Sequence, residues 1–424
     1  MDRSIPMSNI GRLTSFPLGG DIAWQLSAPP QWRRFAPSMR EAVLLPEPVA
    51  WSADFATGAY LRAGHAASPG DMFVCVRSSP ALMQGEDGLH VFAADEAPVL
   101  PGIGLDVWGQ FQNRCTNHNA NPAGLVNISK GGAAAVLSVV DDAAALAEAG
   151  LSGVCSSGKV YKLDNSAGSG VAWAWAAGQF ASATPHTPSL YYRGSACQLG
   201  FAQSGGASVS GARTDLPASA AYVAAEGPAY APSSSSRWWA LYAGPGATVH
   251  FVLNQLVESS FAVPPIVTGG AAATRFASDI VIPAFDVLAP AFALGEGFRG
   301  RDIIDLVRLS DPSPRTIWSR GTDDGNCITL AIGTGNKLRL SVRNGGADDL
   351  VLETAEAFAA PGRKVIDYVC ANGAWSLEAT GVAGGAHGGS CVLPALAAAR
   401  IGSAFGGGAC LNGAVEFSSI ERIS

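Results

Sequence analysis

Residues 327–343 read CITLAIGTGNKLRLSVR, and this stretch decides the fold class. Ile328, Leu330 and Ile332 alternate with Thr329 and Ala331. After the GTGN turn, Leu338, Leu340 and Val342 alternate with Arg339, Ser341 and Arg343. A period of two is the side-chain period of a strand, with one face in a core and the other in water. A second hairpin follows, KVIDYVC (364–370) and WSLEA (375–379), joined around Asn372-Gly373. That dipeptide supplies the positive φ angles of a tight turn. The chain ends on another strand-like run, AVEFSSIERI (414–423).

Working back from this end, the same texture recurs. Short apolar runs stand at 59–64 (AYLRAG), 72–79 (MFVCVRSS), 89–95 (LHVFAAD), 159–166 (KVYKLDNS), 171–177 (VAWAWAA), 189–195 (SLYYRGS), 237–244 (RWWALYAG) and 248–256 (TVHFVLNQL). Turn-forming residues separate them. One helix is legible, capped by Asp141, propagated through Ala143–Ala149 and stopped at Gly150. One short helix among many strands predicts a mostly β chain of tandem sandwich, or jelly-roll, modules. The expected divisions are an extended N-terminal arm (1–40), a small β-rich attachment region (41–108), a jelly roll (109–272) and a second sandwich (273–424). The linker-like GGAAA at 269–273 marks the last boundary. Prolines at Pro6, Pro17, Pro29, Pro30 and Pro37 keep the arm from forming a long helix.

Composition excludes several classes. With 424 residues, 48% hydrophobic content and 14% charged residues, the chain can bury several cores. Its net charge of −7 and lack of a basic tract disfavour a nucleic-acid partner. No run is apolar enough for a signal-peptide core or a membrane-spanning helix. The eight cysteines form no C-x-x-C pair, which points to buried free thiols rather than a zinc site. GVCSSGKV (153–160) mimics a phosphate-binding loop, but Val160 stands where a magnesium-binding hydroxyl is needed and VYKL continues as a strand. The six histidines stand singly. Asp141-Asp142 and Asp323-Asp324 are adjacent pairs, and neighbouring side chains point apart where glycoside cleavage needs facing carboxyls. The reading is therefore of a non-enzyme.

Three stretches together resemble the head-spike and tail-fibre proteins of phages and gene transfer agents. The first is GIGLDVWGQFQNRCTNHNANPAGL (102–125), similar to a GL-x-V-E-G-x-x-TN signature, with Trp108 in place of its acidic residue. The second pairs LSVVDDAAALAEAGL with VYKLDNSAGSG. The third is FVLNQLVESSFAVPPIVTGGAAATRFASDIV (251–281), in which Gln255, Ile266, Thr268, Thr274, Arg275 and Asp279 match, while 262–265 (Ala-Val-Pro-Pro) departs from the usual pattern. The C-terminal part is similar to concanavalin-like or laminin-G-like lectin modules. The resemblance covers about three-quarters of the chain. It implies a structural protein on the surface of a virion or virion-like particle, made in the host cytoplasm. Such a subunit docks on capsid or tail proteins, forms a homo-oligomer (a trimer by likeness to fibres), and adheres to host capsular polysaccharide or lipopolysaccharide. A decoration or adaptor protein without sugar binding is the alternative, and a polysaccharide depolymerase a more distant one.

Sugar binding needs an aromatic face for the apolar side of a pyranose and planar polar groups for its hydroxyls. Trp173, Trp175 and Trp238 in the jelly roll meet the first need. In the second sandwich, the loop SRGTDDGN (319–326) sets Arg320, Asp323, Asp324 and Asn326 beside Trp318, and Trp375 is a further candidate of the same kind. That oxygen-rich loop suits hydroxyl recognition or, through Asp323, Asp324 and Asn326, a calcium ion. Each aromatic has core packing as its plain alternative, and the loop has a polar hairpin connection.

Overall fold

The structure is a computed structural model that describes residues 49–62, 65–176, 183–203, 208–231, 237–282, 297–309, 314–371, 373–405 and 409–422. The expected arm (1–40) and Asn372 of the second hairpin lie outside the described residues.

The alternation that opened the argument is realised as antiparallel pairing. Asn326–Ile332 lies beside Leu338–Asn344, with Ile328 opposite Val342, Leu330 opposite Leu340 and Ile332 opposite Leu338. All six of these side chains are buried, and the turn between them closes on Asn336 at φ 58°. The hairpin belongs to a sheet ordered Ala347–Glu353, Leu338–Asn344, Asn326–Ile332, Arg315–Asp323, Ala398–Ile401, Asp279–Ile282, Val74–Val76. Facing it is a sheet ordered Val382–His387, Trp375–Ala379, Gly362–Cys370, Phe298–Leu306, Gly413–Arg422, Val49–Asp54, Ala59–Arg62, His65–Ala66. One core fills the space between, including Trp51, Phe55, Ile304, Leu330, Ile366 and Ile420.

Two expected divisions change. Residues 41–108, expected as a small region of their own, divide instead: Ala81–Gly85 and Gly88–Phe92 pair with each other, and the other described strands of the span join the sheets of the C-terminal sandwich. Val49–Asp54 runs against Gly413–Arg422, Gly104–Val107 against the start of the same strand, and Val74–Val76 against Asp279–Ile282. Period-two patterning shows which residues face a core but not which distant strand completes the ladder. Likewise, the GGAAA segment is no linker. Ala273–Arg275 pairs with Phe111–Asn113 in the central sandwich, so that body extends past 272.

The central sandwich has two sheets. One is ordered Val136–Asp141, Lys159–Asp164, Thr248–Val257, Thr187–Gly194, Ser219–Glu226. The other is ordered Ile128–Gly131, Ala172–Ala176, Arg237–Ala243, Cys197–Gln203, Ser208–Leu216. Between them lie Tyr161, Leu163, Leu199, Phe201, Trp239, Leu241 and Phe251. The first sheet is covered on its other side too, by a cluster that includes Leu82, Leu89, Trp108, Leu146, Val252 and Phe261. The helix, Ala143–Glu148, contributes to this cover. Its cap is Asp142 rather than Asp141, and Gly150 ends it at φ 67°. A Cβ on Gly150 would stand 2.1 Å from the Asp87 carbonyl oxygen, so only glycine lets the 81–92 hairpin cross the helix end.

The second sheet differs: among the described residues, the apolar cluster on its outer face is built from its own side chains. The period-two rule turns Ala172, Ala174 and Ala176 inward and Trp173 and Trp175 outward, and it sends Trp239 in and Trp238 out. A core that needs only alanine on one side has left two indoles on the other.

Candidate functional site

The register across that outer face sets out the site. Gly131, Trp173, Tyr242, Gln198 and Asp215 form one row over five strands, and Ser129, Trp175, Ala240, Gly200 and Arg213 form the next. Trp238, opposite Ala202, begins a third. Aromatic side chains thus gather over the strands of Trp173 and Trp238, while polar ones stand over the last two strands.

Contacts within the face fix these groups. Trp175 and Trp238 stack at 6.0 Å with their planes 9° apart, and Trp173 leans on Tyr242 at 6.4 Å. The edge of Trp173 lies against the backbone at Gly131, where a Cβ would fall 2.2 Å from ring carbons. Gly200, without a side chain, lets Arg213 cross the sheet to sit 3.8 Å from the Tyr242 ring centre. Arg213 Nη1 donates to Gln198 Oε1 at 2.9 Å, and Gln198 Nε2 donates to Asp215 Oδ1 at 2.7 Å. The Tyr242 hydroxyl donates to the Phe201 carbonyl at 2.7 Å, and burial raises its pKa. At the rim where these strands begin and end is a shallow depression of about 590 Å³, lined by Val171, Ala196, Gln198, Asp215, Pro217 and Tyr242 among others. A half-buried aromatic strip flanked by a guanidinium, an amide and a carboxylate has the make-up of a saccharide platform.

The candidates of the C-terminal sandwich fall elsewhere. Trp318 and Arg320 are core residues, each 2% exposed, and Trp375 is 1% exposed. Trp318 Nε1 donates to Asp302 Oδ2 at 2.7 Å, Arg320 lies 3.7 Å over the Trp318 ring, and Arg320 Nη2 donates to the Tyr368 hydroxyl at 2.8 Å. These three therefore face into the sandwich and cannot receive a ligand from solvent, which corrects the sequence reading. The mistake has a clear cause: the 319–326 stretch is mostly strand, Arg315–Asp323, so Arg320 alternates inward instead of sitting in a loop. Burial in this cluster raises the Asp302 carboxyl to about 6 against the attraction of Arg320.

Asp323, Asp324 and Asn326 do stand at an exposed turn. There Asp323 accepts from the Gly325 amide at 2.8 Å and from Asn326 Nδ2 at 3.1 Å, and Asn326 Oδ1 accepts from the Gly345 amide at 2.9 Å. The backbone bond from Gly325, before the others, holds the Asp323 carboxyl below its ordinary range. These oxygens are occupied in closing the hairpin, which is the plain alternative. Among the described residues, no group of three or more His, Cys, Asp or Glu side chains is placed to hold a metal ion. The eight cysteines are buried as thiols.

The stretches that carry the family resemblance come together as a buried polar junction. Asn117 and Asn254 exchange amide hydrogen bonds at 3.2 and 3.0 Å. Asn119 donates to the carbonyls of Asn254 and Ile266 and accepts from the Thr268 amide. Gln255 donates to the Val263 carbonyl and accepts from the Ile266 amide, so the loop through 262–265 is pinned by its side chain. Trp108 donates to Asp106, whose other oxygen is 3.6 Å from Arg275. Asn113, Asn117, Asn119 and Asn254 are completely buried. This junction organises structure and offers no open surface. Sequence reasoning also missed Gln198, Arg213 and Asp215. Their sole signal was membership of strands flanking the tryptophans.

No family model matches the chain, and no curated protein matches it. Among solved structures, it is similar to mouse laminin alpha1 chain, domains LG4-5, at 9% identity and a TM-score of 0.23, covering 57% of this chain and 82% of that one. It is similar to a Trypanosoma rangeli sialidase in complex with the inhibitor DANA at 9% identity and a TM-score of 0.25, covering 63% of this chain and 50% of that one. A third likeness is to A. japonicus CB05, at 11% identity and a TM-score of 0.19, covering 86% of this chain and 59% of that one. At these scores the likenesses carry no argument about activity or ligand.

Proposed function

We propose that the chain is a carbohydrate-binding adhesion subunit of a phage-like particle, and that its ligand lies along the outer face of the sheet holding Trp173, Trp175 and Trp238. The observation that carries the sugar-binding reading is the juxtaposition on that face. Three outward indoles lie beside Arg213, Gln198 and Asp215, next to a depression large enough for a sugar unit. The particle setting is supported by the sequence resemblance of 102–125 and 251–281 to head-spike and tail-fibre proteins. Binding without cleavage is favoured because, among the described residues, Asp215 is the single carboxylate lining the depression, and the usual hydrolysis needs two. An extended, shallow platform gives weak single contacts, so adhesion calls for several copies, as in a homo-oligomeric fibre.

The test is an array of bacterial capsular polysaccharides and lipopolysaccharides probed with the purified chain displayed on multivalent beads. Retention of at least one host glycan, competed by the soluble form, is the expected result. A complete lack of retention at high bead density would leave an adaptor or decoration protein as the better description. Release of reducing sugar would mean a depolymerase.

A further inference from the structure

The rim depression and the aromatic strip differ in chemistry, and this difference carries a statement about which sugar the depression takes. Resting on the sugar-binding reading above, we infer that the depression is a subsite for one neutral, hydroxyl-bearing pyranose and that it rejects uronic and sialic acids.

Asp215 lines the depression, and among the described residues no Lys, Arg or His does. Arg213 on the same face is directed over the Tyr242 ring and spends a donor on Gln198. The Asp215 carboxylate accepts only the Gln198 amide hydrogen among the side-chain bonds of the described residues. Its other oxygen is left to accept from a ligand hydroxyl. An anionic sugar would set like charges side by side with no facing cation, a costly arrangement near a protein surface. The remaining walls are apolar: Val171, Ala196 and Pro217, with Val171 half exposed. They suit the C–H face of a neutral pyranose. Gln198, fixed between Arg213 and Asp215, holds the carboxylate in place at the depression's edge.

The experiment is saturation-transfer difference NMR on the full chain with methyl glycosides of neutral hexoses, of hexuronic acids and of sialic acid. Wild type, Asp215→Asn and Gln198→Ala are compared, each first shown by circular dichroism to be folded. A neutral glycoside should bind at least 10-fold more tightly than any acidic one. Asp215→Asn should weaken the neutral ligand several-fold and reduce the discrimination against acids. Gln198→Ala should weaken the neutral ligand without changing that discrimination. Acidic glycosides that bind as well as neutral ones, or discrimination unaltered in Asp215→Asn, would overturn the inference while polysaccharide retention on beads still upholds the sugar-binding reading. Loss of retention for every glycan on the beads would remove both.

Discussion

Trp175 and Trp318 look equivalent in the sequence, each a tryptophan in a strand-like run, and the structure gives them opposite roles. Replacing each with alanine therefore separates ligand binding from folding. Trp318→Ala removes a buried indole, which costs about 3–5 kcal/mol for an aromatic-to-alanine change in a core. It also takes a hydrogen bond from the buried Asp302 carboxyl and a ring from beneath Arg320. An unsatisfied buried polar group adds about 1–3 kcal/mol. The total consumes much of the roughly 5–15 kcal/mol that holds a domain folded. Trp175→Ala removes an outward ring whose main loss is its stack on Trp238, worth about 0.5–1.5 kcal/mol. If the platform binds sugar, the same change removes a central anchor, worth about 2 kcal/mol or roughly 30-fold in affinity. Urea unfolding followed by circular dichroism reports the first quantity, and retention on polysaccharide-coated beads reports the second. Trp318→Ala should unfold at far lower urea, whereas Trp175→Ala should unfold near wild type and lose retention. A Trp175→Ala protein that keeps full retention, or a Trp318→Ala protein as stable as wild type, refutes the assignment of faces.

Other outcomes follow from single contacts. Gly131→Ala forces the Trp173 ring off its seat, since a methyl 2.2 Å from ring carbons is more than 1 Å too close; retention should fall about 10-fold, with an unfolding midpoint shifted less than for Trp318→Ala. Asp302, raised to about 6 in the fold, stabilises it fully below about pH 4 and loses that contribution as pH rises toward 6. Relative to Asp302→Asn, wild type should therefore lose about 3 kcal/mol between pH 4 and pH 7, measured by urea unfolding at each pH. Asn254→Ala leaves Asn117 Oδ1 without its donor, while Asn117 Nδ2 keeps the Tyr161 hydroxyl, and should cost about 1–3 kcal/mol, with the Asn117→Ala, Asn254→Ala double variant costing less than the sum of the singles.

How much could be read beforehand depended on whether the signal was local. Ile328, Leu330, Leu338 and Leu340 announced their strands and their buried face because alternation is written into neighbouring residues. The pairing of Val49–Asp54 with Gly413–Arg422 was not legible, since nothing in either segment encodes a partner at the other end of the chain. The site was half legible for the same reason. Trp173 and Trp175 share a face by period alone, and Trp238 and Trp239 oppose each other by period alone. Period does not say which face is outside, so Trp318 and Trp375 looked as available as Trp175. The alanines between Trp173 and Trp175 were the usable clue, because small residues inward and indoles outward reverse the ordinary order of a strand. Arg320 misled because its strand continues through what reads as a polar loop. The amide-rich junction at 113–119 and 254–268 drew its resemblance from residues whose work is internal hydrogen bonding.

The most direct test is oxidative footprinting of the tryptophans by N-bromosuccinimide, mapped by mass spectrometry, with and without a polysaccharide that the beads retain. Trp175 and Trp238 should react in the free protein and be shielded by the ligand, while Trp318 and Trp375 stay unreactive in both states. Shielding that leaves Trp175 and Trp238 untouched and appears on another surface would place the ligand elsewhere and contradict the account.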